Sequence, residues 1–264
     1  MKLKTDKMIA EKKDGVGWMT FNSPARRNAV SLEMWEAIGT IMDDYSQDPD
    51  IRCCVMTGAG DKAFVSGADI SQFKEKRNDA DAAAEYDRIS NDSRRKLGDF
   101  EKPLIAMIRG YCLGGGLGVA MSADFRIASD DSQFGIPAAR LGIAYTFENV
   151  QRLASLVGPS YAKEILITGR RLTAAEAHQI GLINRVVPVD ALAATVQEFT
   201  DAITENAPLS MRASKLTMAE ILKDKEDRDY GLLDDLKKAC FDSKDYQEGR
   251  EAFMAKRKPQ FTGT

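Results

Sequence analysis

Histidine is almost missing from this chain: His178 is the only one among 264 residues. A Ser-His-Asp triad would have to use it, and most metal sites built on imidazole are excluded. His178 lies in the short pattern AAEAHQIG, which predicts a helix that ends at Gly181. We therefore interpret it as a residue of a helix surface. No set of carboxylates stands out as a metal site either, so we expect no bound metal.

Cysteine is scarce as well. The chain has four, of which Cys53 and Cys54 are adjacent in an apolar run, while Cys112 and Cys240 are isolated. No CxxC pair occurs, so the pattern supports neither a disulfide framework nor a zinc site.

Long apolar runs and an excess of basic charge are also absent. No segment approaches the roughly 18 apolar residues of a membrane-spanning helix, and the N-terminal sequence MKLKTDKMIAEKKDG lacks the apolar stretch of a signal peptide. Lys and Arg number 37 against 40 Asp and Glu, a formal net charge of -3. This balance excludes a strongly basic nucleic-acid binder. We expect a cytoplasmic protein without a membrane or nucleic-acid partner.

The first half of the chain alternates strand and helix patterns. Short apolar runs predict strands at Val16–Phe21, Cys53–Gly58 and Leu104–Ile108, and helical periodicity covers residues 31–45 and 82–100. This order predicts a layered α/β core.

Helical periodicity dominates after about residue 146, with Pro159, Pro188 and Pro208 between the helical segments. We predict an α/β core over residues 1–200 and a helical region over residues 201–264, with no Ser/Gly linker between them. The pattern leaves open whether the helical region packs on its own core or on a neighbouring subunit.

The densest glycine cluster is GYCLGGGLG at residues 110–118, between a predicted strand and an apolar helix. Glycine lets a ligand approach the backbone, and a helix start offers unpaired N–H groups. A P-loop needs Lys after its last glycine, whereas Gly116 follows Gly115, and a dinucleotide fingerprint needs Gly or Ala where Val119 or Met121 stands. An oxyanion hole remains, in which a backbone N–H meets developing negative charge. The alternative is a turn without a ligand.

A second segment can supply a partner for this helix start. Residues 64–69, FVSGAD, follow an earlier predicted strand and can bring a second N–H to the same point. Either segment alone is a weak signal, because a glycine turn is more often only a turn.

With these two segments in place, the chain resembles the crotonase (enoyl-CoA hydratase/isomerase) superfamily over nearly its whole length. The matching motifs are Asn28-Ala29, FVSGADI at 64–70, IAMIRGYCLGGGLGVAMSADFRIA at 105–128, QFGIP at 133–137, LG at 141–142, QRL at 151–153, GLINRVV at 181–187 and EGREAFMAKRKPQF at 248–261. The resemblance implies an α/β spiral of ββα units with a C-terminal helical trimerisation region, assembled as a homotrimer or a dimer of trimers.

The resemblance also implies an acyl-CoA thioester as the substrate, with coenzyme A carried by that substrate and no separate cofactor. In this family two backbone N–H groups hold the thioester carbonyl, and the matching positions are Ala68 and Gly115. Positions that match the family's CoA contacts are Arg26 or Arg27 for the phosphates, Ala68, Asp69 and Ile70 near the adenine, and Phe253 and Lys256, often from a neighbouring subunit.

Two positions depart from the family pattern. Hydratases of this family carry two catalytic glutamates, and the corresponding positions here are Gly118 and Ala138. Neither residue can act as a general acid or base. The resemblance therefore implies the fold and the CoA site but not the hydratase reaction.

Candidates to replace the glutamates lie in the segment before the QRL motif. Tyr145 matches a tyrosine of the family's methylmalonyl-CoA decarboxylases, and a phenol can hold a carboxylate or deliver a proton. Glu148 is the nearest acidic residue, although it also suits the start of the following helix. Tyr145 can equally be a space-filling residue.

The leading hypothesis is an enzyme that acts on acyl-CoA. It would belong to the lyase or isomerase class and to fatty acid metabolism. Decarboxylation fits the missing carboxylates best, because loss of carbon dioxide generates an enolate without a base. Alternatives are hydrolysis of the thioester by water placed by Tyr145 or Glu148, a non-catalytic acyl-CoA-binding protein, and RNA binding.

Overall fold

The computed structural model describes residues 1–69 and 80–264, and Ile70 lies outside these ranges. Its strands are β1 (Met8–Lys13), β2 (Val16–Phe21), β3 (Cys53–Gly58), β4 (Ala63–Val65), β5 (Leu104–Ile108), β6 (Tyr111–Leu113), β7 (Phe125–Ser129), β8 (Gln133–Gly135), β9 (Leu172–Thr173) and β10 (Arg185–Val187). Its helices are α1 (Leu32–Gln47), α2 (Ala80–Gly98), α3 (Gly115–Ala120), α4 (Phe147–Thr168), α5 (Ala174–Gln179), α6 (Leu192–Thr204), α7 (Pro208–Ile221), α8 (Tyr230–Asp242) and α9 (Lys244–Ala255).

Two sheets organise the α/β core. The larger sheet has six strands in the order β1-β2-β3-β5-β7-β10, antiparallel between β1 and β2 and parallel elsewhere. The smaller sheet has the order β4-β6-β8-β9. The parallel strands β2, β3 and β5 are almost continuously apolar because they are buried on both faces. The predicted α/β architecture is confirmed.

Alternating residues of the central strands pack into two separate hydrophobic cores. In β3, Cys54 and Met56 belong to the large cluster, whereas Cys53 and Val55 belong to a smaller one on the other face. This separation follows from the two-residue period of a strand. Helix α6 covers the smaller face and extends across residue 200, so the proposed division at 200 falls inside a helix and stays a prediction.

The last three helices bury little of their own surface. The buried residues of α7, α8 and α9 are only Glu220, Leu236, Asp245 and Ala252. Large apolar side chains remain exposed on and between these helices: Met218, Ile221, Leu222, Tyr230, Phe241, Tyr246, Phe253 and Met254. We refer to these eight side chains as the apolar set of the C-terminal helices.

The chain's tail is fixed at the end of the large sheet where β3 begins. The Arg52 guanidinium, one residue before β3, donates to the Phe261 carbonyl at 3.0 Å. In residues 1–69 and 80–264, no helix is both long and apolar enough to cross a membrane.

Candidate active site

The segment around Ala68 is held by a short parallel pairing. The Val30 N–H donates to the Gly67 carbonyl at 2.9 Å, and the Asp69 N–H donates to the Val30 carbonyl at 3.0 Å. In a parallel pairing, a residue bonded through its two neighbours points its own N–H away from the partner strand. The Ala68 N–H is therefore not used by this pairing.

Gly115 lies beside that N–H. A Cβ added at Gly115 would come within 3.7 Å of the Ala68 nitrogen. Gly115 is the first residue of α3, whose first helical bond runs from the Gly118 N–H to the Gly114 carbonyl at 3.1 Å. Because the opening N–H groups of a helix have no partner within it, the Gly115 N–H is also left for a ligand. Two backbone N–H groups that these hydrogen bonds leave unused thus belong to neighbouring residues.

Close backbone packing brings these donors together. A Cβ at Gly116 would lie 2.1 Å from the Val65 carbonyl oxygen, so α3 rests directly on β4. Only glycine permits this approach, and it sets the spacing between the Ala68 segment and the start of α3. Gly114, with φ of 54° and ψ of -121°, makes the turn into α3 and donates to the Gly135 carbonyl at 2.8 Å.

The surroundings of Gly118 contain a phenol and an amide. A Cβ at Gly118 would lie 3.5 Å from both the Tyr145 Oη and the Asn149 Oδ1. Asn149 is a residue that the sequence analysis missed, because its side chain reaches Gly118 only through the fold of the segment before α4. Ala138 lies partly buried in the short helical turn Pro137–Leu141. Glu148 is exposed in the first turn of α4.

Tyr145 is engaged with the glycine turn. Its hydroxyl donates to the Gly114 carbonyl at 2.8 Å. Burial raises the pKa of Tyr145 to about 12, while the positive charge of Arg94 acts in the opposite direction. The phenol therefore remains protonated at neutral pH, with its proton directed at a backbone carbonyl.

The residues expected to contact CoA are gathered only in part. Arg26 and Arg27 are exposed, and the Arg26 guanidinium lies 3.5 Å from a carboxylate oxygen of Asp69. The Arg27 guanidinium stacks over the Tyr111 ring at 5.3 Å and borders a pocket of about 200 Å³ that also includes Lys62.

Phe253 and Lys256 are placed elsewhere. They lie in and just after α9, whose following tail is fixed beside Arg52 where β3 begins, whereas Ala68 and Gly115 lie beyond the opposite ends of β3 and β5. The Phe253 side chain is 83% exposed. Within one chain, these two residues are not gathered with the other CoA candidates.

Among the described residues, no group of three or more His, Cys, Asp and Glu side chains could hold a metal ion. His178 is exposed on α5. The chemistry that the site offers is therefore that of two backbone N–H donors beside a phenol and an amide.

Comparison with known proteins identifies the family that builds such a site. The sequence model described as Enoyl-CoA hydratase/isomerase matches residues 11–264. The chain belongs to this family. The crotonase resemblance is thereby confirmed, and the protein is an enzyme of the enoyl-CoA hydratase/isomerase family.

Relatives and solved structures agree with this assignment. The chain is 34% identical to the short-chain-enoyl-CoA hydratase of Clostridium acetobutylicum over 97% of either sequence. It is 36% identical to the crotonyl-CoA hydratase of Syntrophomonas wolfei, over 97% of this chain and 98% of that protein. The crystal structure of an enoyl-CoA hydratase/carnithine racemase from Magnetospirillum magneticum superposes with a TM-score of 0.93 at 34% identity, covering 99% of this chain and 97% of that one. This match confirms the crotonase fold.

Proposed function

We propose that this family member binds an acyl-CoA thioester and stabilises its enolate between the N–H groups of Ala68 and Gly115. Support comes from the closeness of Ala68 and Gly115 and from the lack, among the described residues, of a backbone partner for either N–H. Fixed N–H donors at the site of a developing oxyanion stabilise it strongly, because they need no reorganisation.

For the CoA moiety we propose Arg26, Arg27 and Asp69, together with Ile70, from one subunit. Phe253 and Lys256 would add to that site from a neighbouring subunit, since their own chain places them away from it. The adenine and phosphates of CoA are thus held by an exposed basic edge, whereas the thioester lies at the backbone donors.

The reaction we propose is decarboxylation of a CoA thioester that carries a carboxylate on its α-carbon. The observation behind this proposal is the setting of Gly118, where Tyr145 and Asn149 stand and, among the described residues, no carboxylate oxygen lies within 4 Å of the position that a Cβ would take. As the bond from the α-carbon to the carboxylate breaks, its electron pair moves into the thioester and forms the enolate. Carbon dioxide leaves, and the α-carbon then takes a proton from water. No general base is needed to start this sequence.

Mass spectrometry of two parallel incubations tests the reaction. We expect methylmalonyl-CoA to lose carbon dioxide and crotonyl-CoA to return unchanged. Gain of water on crotonyl-CoA would overturn the proposal in favour of hydration. Release of free CoA would indicate thioester hydrolysis, which Glu148→Gln should then abolish if Glu148 places the water. Binding of both esters without any product would identify a non-catalytic acyl-CoA-binding protein.

We further propose that the apolar set of the C-terminal helices forms the subunit interface of a homotrimer or a dimer of trimers. Patches of exposed large apolar residues mark association surfaces. Light scattering should give a mass of three or six times 29.1 kDa. Leu222→Asp, at a position 66% exposed, should lower that mass. Ile9→Asp, at an exposed position on β1, serves as the control and should keep it; a monomeric wild-type protein would contradict the proposal.

A further inference from the structure

We propose that Tyr145 is a positioning residue that fixes and polarises the Gly114–Gly115 peptide, and acts on the substrate only through the Gly115 N–H. This inference rests on the proposed oxyanion hole. It gives Tyr145 a task different from contact with the acyl group.

The covalent geometry of the peptide makes this link direct. The Gly114 carbonyl and the Gly115 N–H belong to one planar trans unit and point in opposite directions. The Tyr145 hydroxyl donates to the carbonyl edge at 2.8 Å, and the other edge carries the N–H of Gly115, whose Cβ position lies 3.7 Å from the Ala68 nitrogen. A hydrogen bond on the carbonyl edge therefore sets the direction of the N–H.

The same bond strengthens the N–H as a donor. Hydrogen bonds polarise one another along a chain, so a donor on the carbonyl increases the positive charge on the amide hydrogen of the same peptide. The Gly118 N–H donates to this carbonyl as well, at 3.1 Å. Tyr145 adds a second donor from a partly buried side chain that stays protonated at neutral pH.

The glycine at position 118 allows this arrangement. A Cβ there would already reach 3.5 Å from the Tyr145 Oη, and a carboxylate beyond it would compete with the phenol for the same space. Glycine at position 118 therefore leaves room for the Tyr145 phenol, which polarises the backbone. Hydratases of the family instead carry a glutamate at this position for acid–base chemistry.

Tyr145→Phe tests the inference, with Tyr45→Phe as a matched control. Tyr45 is buried and also donates to backbone carbonyls, those of Glu11 at 2.9 Å and Trp18 at 2.8 Å, but it lies under β1 and β2. The probe is acetoacetyl-CoA, whose bound enolate is followed by ultraviolet absorbance against pH. Because Tyr145 changes the strength of the Gly115 donor by ~10–30%, its loss should shift the enolate midpoint upward by about 0.2–0.9 pH unit in Tyr145→Phe. Tyr45→Phe should leave the midpoint unchanged.

A second measurement separates positioning from direct contact with the substrate. In the free protein, the Gly115 amide resonance should move in Tyr145→Phe, because the same peptide loses its carbonyl partner, and should stay in place in Tyr45→Phe. An unchanged Gly115 resonance, or an unchanged enolate midpoint, would overturn the inference. If the wild-type protein fails to lower the midpoint of acetoacetyl-CoA relative to water, the proposed oxyanion hole itself is wrong, and the inference falls with it.

Discussion

Exchange of Ala68 for lactate, which turns the Gly67–Ala68 amide into an ester, is expected to lower kcat on methylmalonyl-CoA by ~10²–10³-fold. This corresponds to about 2.7–4 kcal/mol, the cost of removing one oxyanion donor elsewhere. The ester keeps the methyl side chain, removes the Ala68 N–H and makes the Gly67 carbonyl a weaker acceptor. Because the pairing with Val30 uses the Gly67 carbonyl and the Asp69 N–H, both of its hydrogen bonds are kept, and only the one that Gly67 accepts is weakened.

Unfolding by urea should accordingly show a free energy lowered by no more than about 1 kcal/mol for the Ala68 ester, because a hydrogen bond is weakened and not removed. The same exchange at Ala10, in β1 and paired with Met19, controls for the chemistry of incorporation and should leave kcat unaltered. A full rate for the Ala68 ester would show that this N–H does not stabilise the enolate.

Gly116→Ala is expected to destabilise the protein by about 1–3 kcal/mol or more, since the added methyl must displace backbone. Its Cβ would lie 2.1 Å from the Val65 carbonyl oxygen. Gly118→Ala is the matched control in the same helix. Its Cβ meets only ordinary contacts at 3.5 Å, and replacing glycine in a helix stabilises by roughly 0.5–1 kcal/mol.

Urea unfolding of both variants at one protein concentration, followed by ellipticity, measures the difference in free energy. Gly116→Ala should also weaken acetoacetyl-CoA enolate formation, because a shift of α3 away from β4 separates the two donors. Equal stabilities for the two variants would refute the view that backbone contact between α3 and β4 sets the site.

The sequence was informative where burial is continuous. The bounds of β2, β3 and β5 follow directly from their apolar runs. The small sheet could not be predicted from periodicity, because its strands are three residues or shorter. Strand β1 was not predicted, because its sequence MIAEKK contains many polar residues. An edge strand keeps such residues on its exposed side.

For the site, local sequence showed that both glycine segments follow predicted strands and that one of them precedes a helix, but the pairing of Ala68 with Gly115 came from the family resemblance. The hydrogen bond from Tyr145 to Gly114 joins residues 31 positions apart. It depends on how the segment before α4 folds back on α3, and no local propensity encodes that. Asn149 was missed for the same reason.

The position of Tyr145 beside Gly118 has a consequence for how the proposed decarboxylase could be converted into a hydratase by mutation. A glutamate introduced at position 118 alone places a carboxylate beside the Tyr145 phenol. Position 138 still carries alanine where hydratases have the second glutamate. Removing the tyrosine alone weakens the donor and restores no base. Each single step is therefore expected to lose activity before any gain, so under the proposed function an epistatic barrier of three coupled positions separates decarboxylation from hydration.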